Sequence, residues 1–152
     1  MNLLDKINRL KFRAFNKITK EFLINVSRIG DYSKMENDDG KNFGFQTPDS
    51  LYCVQDKADW EIMQYIGITD SNKKEIFEGD ILKNIYKSSE DNKTLFDYTY
   101  VEYDPFFAGY VMKRNKENDI TFFDSINWDK EKLEVVGNIY QNPELFEKIK
   151  NS

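Results

Sequence analysis

The chain of 152 residues contains no histidine. That absence removes the side chain that most often serves as general base, nucleophile activator or metal ligand near neutral pH. Mechanisms built on Ser-His-Asp or Cys-His groupings are excluded, and so are the usual zinc sites. Cysteine is almost absent too. The single Cys53 can make neither an internal disulfide nor a cysteine-rich metal centre. One thiol suits a reducing, cytoplasmic setting, and Cys53 reads as a small, half-buried apolar residue. With 7 glycines and 3 prolines the chain is not of low complexity. No apolar run reaches the length of a signal-peptide core or a membrane span, so neither is expected. Walker-type, GxGxxG and EF-hand spacings are all missing.

Aromatics are what the chain has in surplus: 12 Phe, 9 Tyr and 2 Trp. With a mean hydropathy of -0.72 and 32% charged residues, this describes a soluble chain with enough ring surface to build a core, which argues against wholesale disorder. The length fits one domain, with or without an appended arm. Charge is unevenly spread. Residues 1–20 carry a net +5, which leaves -10 on the remainder and -5 overall. A chain with this balance is a poor general ligand for nucleic acid, where phosphate contacts dominate affinity. The basic arm alone keeps that option open.

Along the chain, Leu3, Leu4, Ile7 and Leu10 fall on one face of a helix, which predicts a helical arm over 1–10. The runs KFRAF and EFLINV predict a β-hairpin, with Phe12 and Ala14 on one face and Phe15 on the other. The glycine-containing, acidic stretch at about 30–50 reads as a loop or flap. Short strands are expected at Leu51–Val54 and Glu61–Tyr65. A hairpin follows from Tyr65–Ile68 to Glu75–Phe77 around the tip DSNKK, with Asn72 as the left-handed residue. Gly79 suits a backbone reversal before a strand at Asp80–Tyr86. Aromatic-rich strands are predicted at Leu95–Tyr103 and Phe106–Lys113 around Asp104-Pro105, then at Ile120–Phe123 and Leu133–Val136, with Gly137-Asn138 as a bend. Asn142-Pro143-Glu144 opens a C-terminal helix, with Asn142 as cap. The expectation is a mainly β (β-rich α+β) chain. It takes the form of a small SH3-like or related β-barrel with an N-terminal hairpin and a short C-terminal helix, and residues 11–150 form a single domain.

Three blocks resemble the YopX family of phage and prophage proteins. Lys11-Phe12-Arg13-Ala14-Phe15 is similar to its N-terminal block, where the family usually has Trp in place of Phe15. Met63-Gln64-Tyr65-Ile66-Gly67 with Glu75-Ile76-Phe77-Glu78-Gly79-Asp80-Ile81 is similar to the central block. Val135-Val136-Gly137-Asn138-Ile139-Tyr140 with Asn142-Pro143-Glu144-Leu145 is similar to the closing block. Gly67, Asp70, Gly79, Asp80, Gly137, Asn138 and Pro143 are the turn and cap residues of this pattern. Lys73 departs from it, standing where the family tip usually has Gly. The resemblance implies a β-rich, oligomer-forming phage protein acting in the cytoplasm of its bacterial host. It brings no catalytic residues.

The chemistry of the residues supports no enzyme. Asp38 and Asp39 in the flap, or Glu78 with Asp80, could hold Mg²⁺ or act as an acid–base pair. The competing readings are a solvated loop for the first pair and turn geometry for the second, with Asp80 bonding backbone amides. No catalytic residue, metal or cofactor is therefore expected. Tyr98, Tyr100, Phe106 and Tyr110 belong to a run of rings that could contact a partner or stack bases, or could divide between core and subunit contact. Strand period puts Tyr98 and Tyr100 on one face with Thr99 and Val101 opposite. Two partly apolar faces favour burying both, and oligomerisation is one way to do so. Lys11, Arg13, Lys17 and Lys20 could meet phosphate, or form a solvated or subunit-paired face. The favoured function is a non-enzymatic accessory protein. It would act as an oligomeric protein-interaction module on a host or phage protein, in host takeover or anti-defence, with Asp38, Asp39 and the four rings as contacts. The alternative is nucleic-acid binding through the basic arm and an aromatic barrel face, with no membrane partner in either case.

Overall fold

The computed structural model describes residues 11–26, 28–31, 43–47, 51–54, 59–114, 119–128 and 131–152. The expected helical arm at 1–10 and the pair Asp38 and Asp39 lie outside these residues. The fold is mainly β, with antiparallel sheets and a short C-terminal helix. The chain divides into two compact units, 1–65 and 66–152.

The first unit opens with the expected hairpin, β1 (Phe12–Asn16) and β2 (Phe22–Val26). A turn joins them, in which the Asn16 side chain accepts the N–H groups of Ile18 and Thr19. Lys20 closes that turn at φ +62°. Strict alternation fails in β1, because Arg13, Ala14 and Phe15 are all buried. The pairing with β2 slips between Phe12 and Ala14, and such a bulge re-aims side chains on one strand. Further along, β3 (Arg28–Asp31), β4 (Phe43–Gln46) and β5 (Leu51–Val54) form a three-stranded antiparallel sheet. The stretch expected to be a flap at about 30–50 thus has strands at both ends, paired Arg28↔Gln46 to Asp31↔Phe43.

The two short strands expected around Tyr65 are one ten-residue strand, β6 (Trp60–Thr69). Its first half pairs with β1, Phe12↔Gln64 to Asn16↔Trp60. Its second half runs into the second unit, where β7 (Glu75–Phe77) lies next to it. Gly67 sits within β6 at φ +94°, so a left-handed kink is absorbed without ending the strand.

In the second unit β8 (Asp80–Lys87), β9 (Thr94–Asp104), β10 (Gly109–Arg114), β11 (Asp119–Phe122) and β12 (Lys132–Asn138) make a five-stranded antiparallel sheet. Its order is β11-β10-β9-β8-β12. One face carries the core: Ile76, Leu82, Val101, Met112, Ile126 and Leu133 are buried, with Ile66, Ile68, Tyr110, Phe123 and Val135 against them. Each fully buried aliphatic side chain here contributes roughly 1.5–3 kcal/mol. The other face of β9 carries Tyr98 and Tyr100, and the helix α1 (Pro143–Lys150) covers it in part. Tyr100 meets Phe146 edge to face at 4.9 Å. The second apolar face therefore finds a cover within the chain.

Polar side chains stitch the turns of this unit. Asp70, 4% exposed, accepts the N–H groups of Asn72 and Lys74 on one oxygen and of Val135 on the other. The left-handed residue of the tip is Lys73, at φ +68°, and not Asn72. Gly79 takes φ +79°; its N–H donates to the Val101 carbonyl and its carbonyl accepts from Ile139. Buried Asp80 accepts the Phe77 N–H at 2.9 Å and faces the Asn138 amide at 3.4 Å. The Asn142 side chain does not cap the helix. It accepts the Asn138 N–H instead, and a β-carbon on Gly137 would come within 2.5 Å of that same oxygen. A side chain at position 137 would therefore displace the Asn142 amide from the Asn138 N–H.

Candidate functional site

The β9–β10 turn at 105–108 places two neighbouring rings, Phe106 and Phe107, in solvent. Asp104 ends β9, buried, and its carboxylate accepts the Phe106 N–H at 2.9 Å. Lys113 on β10 bridges back to Glu102 at 2.7 Å and to Asp104 at 3.2 Å. Burial opposes ionisation of Asp104, yet Lys113 and the N–H groups of Phe106 and Phe107 hold its carboxyl below the usual range. The Glu102 and Asp104 partners in turn raise the Lys113 ammonium, Glu102 most strongly. Ala108 completes the turn at φ +50°, a left-handed conformation that costs an L-residue roughly 1–2 kcal/mol.

This turn displays Phe106 at 86% exposure. Phe107 packs edge to face on Phe106 at 4.9 Å and on Phe122 of β11 at 5.0 Å. Tyr103 meets Tyr110 at 5.5 Å. Phe107, Phe122 and Tyr103 are all exposed large rings, so Phe106, Phe107 and Phe122 form a continuous aromatic ridge. Contiguous exposed apolar surface of this kind marks interaction sites far more often than scattered single residues do.

A second feature is a cavity of about 550 Å³ between α1 and the strands β9, β10 and β11. Tyr98, Leu145 and Ile149 supply apolar wall. Arg114 is clamped by Asp97 at 2.6 Å and by Asp119 at 3.0 Å. Burial pushes the Asp97 carboxyl up, against the pull of Arg114. The other Asp97 oxygen, Oδ1, has no hydrogen-bond partner.

The residues singled out from sequence fall in different places. Phe106 is on the ridge. Tyr110 is half-buried against the core; burial first, then the Glu78 carboxylate, pushes its hydroxyl up to about 12. Tyr100 is packed by Phe146, and Tyr98 lines the cavity and touches Phe96. Among the basic residues, Arg13 is 9% exposed, with its guanidinium 4.5 Å from the Phe22 ring. Lys17 pairs with Glu61 at 3.1 Å, and Lys11 lies 5.6 Å from the Tyr65 ring centroid. Lys20 is exposed in its turn. Gly67 lies within β6, Asp80 opens β8, Gly137 and Asn138 end β12 beside a register shift, and Asp70, Gly79 and Pro143 sit in turns or at the helix start. Phe122 and Arg114 were not picked out from the sequence. Phe122 is distant in sequence from the Phe106-Phe107 pair, and only pairing of β10 with β11 brings it there. Among the described residues no group of three or more His, Cys, Asp or Glu side chains could hold a metal ion. No described helix is long and apolar enough to cross a membrane.

These features define a small, mainly β protein of antiparallel sheets with a C-terminal helix packed on a sheet face. Comparison with known families matches residues 11–147 to the family described as YopX protein. The chain belongs to the YopX family. Among solved structures it is similar to protein EF1440 from Enterococcus faecalis, known from a crystal structure. The two share 27% identity over 89% of this chain and 96% of that one, with a TM-score of 0.53. No curated protein matches the chain.

Proposed function

We propose that this chain is a phage- or prophage-encoded, non-enzymatic accessory protein that works as an oligomeric protein-interaction module in the cytoplasm of the bacterial host. Host takeover or anti-defence is its specific form. The observation that carries this reading is the ridge: a phenyl ring held 86% exposed by a turn that is itself tied down by Asp104 and Lys113. Positive φ at Ala108 is shared by Lys20, Lys73 and Asn92 in other turns, so the support comes from the exposed ring and its continuity with Phe107 and Phe122. The absence of histidine supports a non-enzymatic role, and the phage setting rests on the YopX resemblance. The nucleic-acid reading draws on Lys11, Arg13, Lys17 and Lys20; the burial of Arg13 and the Lys17–Glu61 pair weigh against it.

Site-specific photo-crosslinking in host cells, with phage replication present, tests the reading. A crosslinker in place of Phe106 is expected to give discrete protein adducts, while one in place of Ser89, in the exposed β8–β9 turn, gives none. No protein adduct from position 106 overturns the interaction reading.

A further inference from the structure

Beside the ridge lies a sheet edge. β11 is the terminal strand in the order β11-β10-β9-β8-β12, and Phe122, the last residue of β11, belongs to the ridge. An edge strand offers its outer N–H and C=O groups to any extended chain that comes alongside. Three acids lie close to the ridge: Glu102, in register with Phe122 across Val111; Asp104, whose carboxylate accepts the Phe106 N–H; and Asp124, two residues after Phe122. Among the described residues two bases lie close by: Lys113, bound between Glu102 and Asp104, and Arg114, bound between Asp97 and Asp119 of β11; the acids still outnumber them. The surface is thus acidic as well as aromatic, on a body whose net charge is -10.

We propose that the β11 edge and the Phe106–Phe107–Phe122 ridge form one docking surface for an extended, basic segment of a protein partner. The segment adds to β11 as a further strand and lays lysine or arginine side chains over the rings. This rests on the protein-interaction reading and assigns it a partner chemistry. The acids attract such a segment and repel nucleic acid or an acidic peptide. Cations over exposed rings gain electrostatic attraction from the ring face. The chain already uses that geometry elsewhere, with Lys83 4.5 Å from the Phe96 centroid and Lys150 5.0 Å from that of Phe146. Main-chain pairing supplies affinity and the ridge supplies the preference for basic side chains.

The test is binding of synthetic peptides to the purified full chain by fluorescence anisotropy. An alternating Arg-Val peptide is expected to bind saturably. Its Glu-Val counterpart, and an Arg-Val peptide interrupted by proline so that it cannot donate ladder hydrogen bonds, are expected to bind at least about tenfold more weakly. Phe106→Ser, and separately Phe122→Ser, should each weaken the Arg-Val peptide by about tenfold or more. Phe106 is so exposed that its variant keeps the fold, which circular dichroism checks. Equal binding of the basic and acidic peptides, or binding indifferent to Phe106→Ser, overturns the proposal. So does self-association of the protein that Phe106→Ser abolishes, since the occupant is then a second copy. If position 106 crosslinks to a protein in cells while the peptides show no charge preference, the interaction reading stands and this assignment of partner chemistry falls.

Discussion

Two regions of the second unit use their side chains in opposite ways. In the turns of the second unit, Asp70, Asp80 and Asn138 are buried and turned inward, onto backbone N–H groups or onto each other. At the β9–β10 turn an equally well-held backbone turns an apolar ring outward, to 86% exposure. The first region carries most of the residues that mark the family. The second carries almost none of them. A family signature can therefore be a record of folding requirements: carboxylates replacing water around buried amides, Gly79 at a positive φ, and Gly137 where Asn142 leaves no room for a β-carbon. What such a signature cannot reveal is the surface that the scaffold was built to present. Substitutions in the two regions should separate cleanly in their effects on stability.

The largest effect belongs to Asp70. Its carboxylate accepts three backbone N–H groups, two within its own turn and one from Val135 across the unit. Hydrogen bonds to a charged acceptor are worth more than neutral ones, and a buried donor left without a partner costs its full desolvation. Water can reach the tip amides of Asn72 and Lys74, which are exposed, but reaches Val135 poorly. Asp70→Ala is expected to destabilise the protein by about 3 kcal/mol, read as a lowered urea midpoint at unchanged slope. Asp70→Asn, which keeps one carbonyl oxygen, should fall between the wild type and Ala. A loss below about 0.5 kcal/mol in Asp70→Ala would show that the turn network is dispensable and the contrast between the two regions overstated.

Much of the fold was legible because the local signals agree with one another. The hairpin β1–β2, the strands β5, β7 and β8, and the helix start at Pro143 follow from alternation, turn residues and a proline at the first helical position. The failures have physical causes. The two strands expected at Glu61–Tyr65 and Tyr65–Ile68 are one strand, Trp60–Thr69; Gly67 within it takes φ +94°, which kinks a strand without ending it. The flap expected at about 30–50 lies largely outside the described residues; at its described ends Gly30 and Gly44 pair across β3 and β4, since glycine weakens a strand without forbidding it. Asn142 holds the N-cap position that propensity suggests, but its side chain bonds the Asn138 N–H in the preceding turn instead of a helix N–H. Phe106 was expected inside a strand and stands at the turn. The cavity and the ridge were the least legible, because each depends on non-local neighbours: Asp97 meets Arg114, and Phe107 meets Phe122, only once β9, β10 and β11 are in register.

Lys73 offers a smaller effect of opposite sign, and it probes the signature itself. The family usually has Gly at this tip, and here Lys73 is held at φ +68°. A left-handed conformation costs a residue with a β-carbon more than it costs glycine. The Lys73 N–H still closes the tip, donating to the Asp70 carbonyl at 3.0 Å, so the substitution need not disturb the turn. Lys73→Gly is expected to stabilise the protein by up to about 1 kcal/mol, reduced by the greater freedom glycine has in the unfolded chain. A higher midpoint in chemical denaturation checks it. A loss of stability would mean that the lysine side chain contributes more than its backbone strain costs.

The smallest expected change is at Phe106, and its smallness is the point of the comparison. A ring that is 86% exposed has little left to lose when it is cut back. The Asp104 carboxylate bonds the backbone N–H at position 106, which any residue but proline provides. Among the described residues the ring packs on Phe107, and an exposed edge-to-face pair is worth at most about 0.5–1 kcal/mol. Set against that, removing an apolar ring from water lowers the tendency to self-associate or aggregate. Phe106→Ser should therefore leave the denaturation midpoint within about 0.5 kcal/mol of the wild type while weakening partner binding. If the variant were instead destabilised by about 2 kcal/mol or more, Phe106 would be a packing residue of the β9–β10 turn, and the ridge would belong with the Asp70 network as part of what holds the fold.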